Sequence, residues 1–215
     1  MERPIPILLS TRNRDKAAEL AHALHGLPLR VISVGDIGDW PDVEESGEAL
    51  AENAWLKARD AFVRTGLPVL ADDTGLEVDA LAGAPGLHSS RFAGERATYA
   101  ENVDKLLREL IEVPENARTA RFRCVVALIS PDGREEAVDG VVEGRILITR
   151  RGEGGFGYDP VFLVPELGRT FAEMTLTEKE GFSHRGRAMQ EARRVLESWI
   201  PGLRAWQDSN LRPTD

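Results

Sequence analysis

Residues 5–10 (IPILLS) are a continuous apolar run, and soon after them Ala17, Leu20, Ala21 and Leu24 recur at helical spacing. A buried strand that turns tightly into an amphipathic helix opens an α/β unit, because a strand buried on both faces needs helices to cover it. Residues 29–33 (LRVIS) read as a second strand. Residues 46–65 put Leu50, Ala54, Ala58, Ala61 and Phe62 on one helix face, with Ser46 as the expected N-cap. Gly66-Leu67-Pro68 stops that helix, and 69–71 is a short strand ending at Asp72-Asp73-Thr74-Gly75. A helix over 99–110 follows, then strands over 119–130 and 135–149 joined as a hairpin at Pro131-Asp132-Gly133. A short strand at 161–164, a loop and a closing helix over 183–199 complete the pattern. Units of this kind beside a hairpin call for a twisted mixed sheet.

Length and charge narrow the function. At 215 residues the chain suits one domain, expected over 1–205 with two lobes, followed by a polar, disordered tail at 206–215 without apolar periodicity. A net charge of −9 argues against binding a nucleic acid polymer, whose backbone demands Lys and Arg, but a local cluster of cations can still hold a small anion. No apolar run is long enough for a signal-peptide core or a membrane span, and the single cysteine, Cys124, suits a reducing compartment, so the cytoplasm is the expected location.

Five segments carry possible chemistry. Thr11-Arg12-Asn13-Arg14-Asp15-Lys16 sits between a strand and a helix N-terminus, where free N–H groups and basic side chains attract phosphate; the glycines of a Walker A loop are missing. Glu44, Glu45, Asp72 and Asp73 supply the hard oxygen ligands that magnesium takes. Alternation along a strand sends Asp72 and Asp73 to opposite faces, hence to different roles. Lys57 shares a helix face with Asn53 and is placed to reach phosphates. In Gly154-Gly155-Phe156-Gly157-Tyr158-Asp159-Pro160, Phe156 suits base stacking and Asp159 suits a ring N–H. His184 and Arg185, shortly after Glu178-Lys179, offer donors to the 6-oxo group of a purine. Each segment alone is equally readable as a capped turn, a solvated helix face or a plain loop. His22, His25 and His88 have no metal-ligand spacing, and the four tryptophans read as packing residues.

Taken together, T-x-N-x-x-K at Thr11, E-E-S-G at Glu44, E-N-A-x-x-K-A at Glu52, A-D-D-T-G at Ala71, G-G-F-G-Y-D-P at Gly154 and S-H-R-G at Ser183 form an ordered set. From about Ile7 to Ile200 the chain resembles the Ham1/RdgB family of inosine/xanthosine triphosphate pyrophosphatases. The resemblance implies an ITPase-like α/β fold with a nucleotide cleft between two lobes, a homodimer, and Mg²⁺-dependent hydrolysis of ITP, dITP or XTP to the monophosphate and pyrophosphate. It implies that Thr11, Asn13, Lys16 and Lys57 hold phosphates, with Arg12, Arg14 and Asp15 in the same loop. Glu44 and Asp73 become the metal carboxylates, Asp73 also the proton acceptor, with Thr74 beside the substrate and Asp72 in support. The base side maps onto Phe156, Gly157, Tyr158, Asp159, Lys179, His184 and Arg185, with Arg91 near the substrate. Two positions depart from the family pattern: Arg12 stands where glycine is usual, which requires a backbone free of positive φ, and Thr74 replaces a serine while keeping the hydroxyl. A non-hydrolytic nucleotide sensor on the same scaffold is the rival reading, and the presence of the carboxylates weighs against it.

Overall fold

The computed structural model describes residues 3–37 and 39–210. Strands β1 (Ile5–Leu9), β2 (Leu29–Ser33), β3 (Val69–Val78), β4 (Pro85–Gly86), β5 (Thr119–Ile129), β6 (Glu135–Ile146), β7 (Phe162–Val164) and β8 (Arg169–Thr170) form one sheet. Its order is β2-β1-β3-β5-β6-β7-β8, with β4 paired to β3. β1 runs parallel to β2 and β3, whereas β3–β4, β6–β7 and β7–β8 are antiparallel. The fold is therefore a mixed α/β sheet, with helices α1 (Arg14–Ala23), α2 (Leu50–Thr65), α3 (Tyr99–Glu109), α4 (Leu176–Phe182) and α5 (His184–Asn210). Among the described residues, no helix is long and apolar enough to cross a membrane.

The chain divides into two compact units: Met1–Asp73, Val125–Asp139 and Ala188–Asp215 in one, Thr74–Cys124 and Gly140–Arg187 in the other. In the first unit, Ala54, Ala58 and Ala61 make a stripe of small side chains on α2 and pack with Leu8, Val69, Ala71, Ala127 and Ile129. Their spacing of four and three keeps them on one face, and alanine lets the helix approach the strands closely. The second unit is built on aromatics: Phe122 and Phe162 lie 4.7 Å apart, Phe162 and Phe171 5.3 Å, with Leu76, Leu106 and Ile146 fully buried around them. Each such side chain contributes roughly 1.5–3 kcal/mol by leaving water.

Arg118 is a buried cation of the second unit, 4% exposed. Its guanidinium donates to the carbonyls of Leu110 (2.7 Å) and Val113 (2.9 Å), where α3 has ended and its carbonyls lack helical partners. Replacing Arg118 with Met is expected to lower the unfolding free energy by about 3 kcal/mol, because charged hydrogen bonds are lost and carbonyls are left buried. Urea titration checks this, and a loss below about 1 kcal/mol would mean water takes over.

Several boundaries differ from those expected. α2 begins at Leu50, with Ala49 rather than Ser46 as its N-cap. The helix instead reaches back: Asn53 Oδ1 accepts from the Gly47 N–H at 2.9 Å and Glu52 Oε2 from the Glu48 N–H at 2.6 Å, holding 47–48 as a loop. β3 does not stop at Ala71 but continues to Val78, so Asp72 and Asp73 lie inside a strand. α4 replaces an expected loop. Its Thr175–Glu178 capping box is closed in both directions, and Glu178 is held at about 2 first by the Arg169 guanidinium, then by the Thr175 N–H and hydroxyl. This support is complete above the ordinary value of 4.5 and is lost as the pH falls from there toward about 2. The closing helix runs eleven residues past Trp199, through Pro201, to Asn210. Residues 206–210, expected in a disordered tail, are thus helical: Leu203 and Gln207 continue the buried face of Trp199, and Gln207 Nε2 donates to the Pro4 carbonyl at 2.9 Å. The remainder of that tail, 211–215, lies outside the described residues.

Candidate active site

The first unit gathers an acidic pair and two lysines. Because side chains alternate along β3, Asp72 and Asp73 point to opposite faces and meet different partners. Lys16, on α1, places Nζ 3.2 Å from Asp72 Oδ2. Lys57, on α2, places Nζ 2.8 Å from Asp73 Oδ1 and 3.2 Å from Glu45 Oε1. The Asp72 side chain is fully buried and that of Asp73 is 10% exposed. Burial pushes the Lys57 ammonium toward neutrality, but the charges of Asp73, Asp72 and Glu45 outweigh it and raise its pKa. Lys57 is thus a charged side chain locked among acids. Glu44 is exposed beside Glu45 in the same loop.

The 11–16 loop differs in one respect from the expected phosphate cradle. Asn13 caps α1, and its Oδ1 accepts from the Asp15 and Lys16 N–H groups at 3.0 and 3.1 Å, so two of the donors expected to be free are satisfied. Thr11 is buried and its hydroxyl accepts from the Asn13 N–H at 3.3 Å, while Arg14 and Asp15 are exposed. Arg12 pairs with Asp42. Among the described residues the only non-glycine with positive φ is Ala82, so an arginine at position 12 meets no backbone conflict. Two residues overlooked in the sequence support this region. The Ser10 hydroxyl donates to the Lys57 carbonyl and the Ser33 hydroxyl to the Thr11 carbonyl, both at 3.0 Å. Their signal is a serine at the end of a largely apolar strand.

The second unit gathers the remaining residues. Asp159 and Lys179 form a buried ion pair at 2.5 Å, 4% and 5% exposed, and Asp159 Oδ2 also accepts the Phe156 N–H at 2.9 Å. The carboxylate expected to receive a ligand N–H is therefore already engaged. Gly155 makes this possible: its φ is +66°, and a Cβ there would lie 2.1 Å from Asp159 Oδ2. Lys179 Nζ sits 4.7 Å from the Phe156 ring centroid and Arg185 Cζ 5.7 Å, so the ring is flanked by cations. Arg185 also donates to the Thr74 hydroxyl at 3.1 Å.

His184 is buried and stacked on Phe122, ring centroids 4.5 Å apart at 13°. The next turn depends on Gly186, where a Cβ would fall 1.7 Å from the Glu180 carbonyl oxygen. Tyr158 lies in the core with its hydroxyl donating to the Ser89 carbonyl at 2.9 Å, and burial raises its pKa; it holds the 156–159 segment in place. Arg91 is half-buried with Glu95 3.6 Å away, and Gly157 has φ +61°. Among the described residues no group of three or more His, Cys, Asp or Glu side chains is poised to hold a metal. Magnesium is usually bound by only one or two carboxylates with phosphates and waters, so a smaller acidic set still suits it.

The sequence matches the Ham1 family over residues 7–195. A dITP/XTP pyrophosphatase of Geobacter sulfurreducens is 51% identical over 183 residues, covering 85% of this chain and 92% of that one. A Ham1 protein of Coxiella burnetii superposes with a TM-score of 0.80 at 43% identity, over 90% of this chain and 99% of that one. One from Staphylococcus aureus gives 0.78 at 38%, over 90% and 98%. The protein belongs to the Ham1 family.

Proposed function

We propose that this protein hydrolyses non-standard purine nucleoside triphosphates (dITP, ITP and XTP) to the monophosphate and pyrophosphate, withdrawing them from the nucleotide pool. The observation that carries the reading is the acidic pair on β3, with each aspartate held by a lysine from a different helix, in a chain half identical to a dITP/XTP pyrophosphatase. The cofactor in this reading is Mg²⁺. The donor set suits it, since Asp73 and Glu44 offer hard carboxylate oxygens. When bound, the metal neutralises charge on the triphosphate and on the departing pyrophosphate.

The protein's own groups do the rest. Asp73 accepts a proton from the water that attacks the α phosphorus in line, and Lys16 and Lys57 supply positive charge to the phosphates, with Thr11 and Asn13 shaping their loop. Asp72, fully buried against Lys16, keeps the strand and α1 in register rather than taking part in proton transfer. Phe156 stacks on the base, Lys179 and Arg185 present donors to its 6-oxo group, and Thr74 orients Arg185. A homodimer acting in the cytoplasm completes the proposal.

The test is pyrophosphate release from dITP, XTP and dATP with and without Mg²⁺. A site whose donors await a 6-oxo group is left with unpaired polar atoms by adenine, so kcat/KM for dATP is expected to be about a hundredfold or more below that for dITP. Equal turnover of the two would remove Lys179 and Arg185 from base selection, and orthophosphate as sole product would overturn the reaction itself.

A further inference from the structure

Lys57 is expected to bind phosphates, yet its ammonium lies between Asp73 and Glu45. We infer that Lys57 is a specificity-determining residue: it closes these carboxylates to a lone divalent cation and yields them only to one arriving with a nucleotide. The inference rests on the reading of this site as a metal–nucleotide site.

The arrangement is built. The Ser10 hydroxyl fixes the Lys57 carbonyl, and Asn53, one helical turn before Lys57, holds the Gly47 N–H of the loop that carries Glu45. The lysine and both its acids are therefore anchored to one helix and its adjoining strands. The side chains of Lys57 and Asp73 are only 13% and 10% exposed, so their attraction is weakly screened by water. A dication approaching Asp73 meets an ammonium already bonded to Oδ1, and like charges in so small a space repel. A triphosphate changes the balance by giving Lys57 other oxygens. Its flexible four-carbon stem can swing to them without moving α2, which releases Asp73 from the ammonium at Oδ1. Metal and nucleotide then bind cooperatively, and by linkage each must raise the affinity of the other by the same factor. Selection of the metal–nucleotide pair follows from one side chain exchanging partners.

The experiment is Mn²⁺ titration followed by electron paramagnetic resonance, for the wild type, Lys57→Met and Lys57→Gln, with and without the uncleavable α,β-imido analogue of dITP. In the wild type, the analogue is expected to raise Mn²⁺ affinity about tenfold or more. Lys57→Met and Lys57→Gln are expected to bind Mn²⁺ alone about tenfold tighter than the wild type, and to lose most of the gain that the analogue brings. Circular dichroism establishes that each variant is folded, and the variants separate the effect of Lys57 from the affinity of the phosphates themselves for the metal. The inference is overturned by a wild type whose Mn²⁺ affinity is indifferent to the analogue, or by folded variants that bind Mn²⁺ no tighter than the wild type. An enzyme that releases pyrophosphate but shows either result refutes the role of Lys57 alone; a wild type without pyrophosphate release refutes the functional reading beneath it.

Discussion

Asp73→Asn is expected to reduce pyrophosphate release from dITP by roughly 10²–10⁴-fold while nucleotide binding stays measurable. The substitution keeps the shape of the side chain and removes its negative charge and its capacity to take a proton. Asp73 sits inside β3, so its backbone is fixed by strand pairing and the neutral amide has no reason to displace it. The loss should therefore fall on kcat. KM should change little, because Lys16 and the Asn13-capped loop remain in place. Steady-state kinetics together with equilibrium binding of the uncleavable analogue make the comparison. Turnover within about threefold of the wild type would exclude Asp73 as the proton acceptor and shift attention to Glu44 or Glu45.

The largest effect on stability should come from Lys179→Met. Its ammonium is buried against Asp159 and lies over the Phe156 and Phe171 rings, 4.7 and 5.5 Å from their centroids. Without it, the buried Asp159 carboxylate loses its ion-pair partner while still accepting the Phe156 N–H. Breaking a buried pair in this way costs about 3–5 kcal/mol, most of it the penalty of an uncompensated charge rather than the worth of the bond. Hence the double variant Lys179→Met/Asp159→Asn should recover a good part of the loss, and urea unfolding of the single and double variants tests both statements. A single variant as stable as the wild type would show that water reaches Asp159. If the double variant fares worse than the single, the carboxylate is needed by the loop more than by the lysine.

Much of this was legible in the sequence because it rests on periodicity. The α2 stripe of Ala54, Ala58 and Ala61 and the apolar run of β1 have no competing interpretation, and the alternation of Asp72 and Asp73 correctly separates their partners. The errors arise where local chemistry and tertiary context disagree. Asp-Asp-Thr-Gly resembles a turn, but Lys16 and Lys57 neutralise the two acids inside the sheet, so the strand continues. Pro201-Gly202 resembles a helix stop, but the buried side of α5 continues beyond it at Leu203 and Gln207. The capping box at Thr175–Glu178 is a signal in the sequence, but the seven residues that follow the cap are too few for periodicity to declare a helix. Individual ion pairs such as Lys57 with Glu45 join residues twelve apart through a loop, and no spacing rule reaches them.

The last turns of α5 bind the two ends of the described chain together. Arg204 donates to the Arg3 carbonyl and Gln207 to that of Pro4, immediately before β1 begins. β1 in turn delivers Ser10 and the Thr11 loop. A protein trimmed after Trp199, at the point where the sequence invites a cut, would forfeit Leu203 from its core and unfasten the start of the strand that feeds the phosphate loop. For protein engineering, the carboxyl-terminal helix is better treated as a clasp than as spare length.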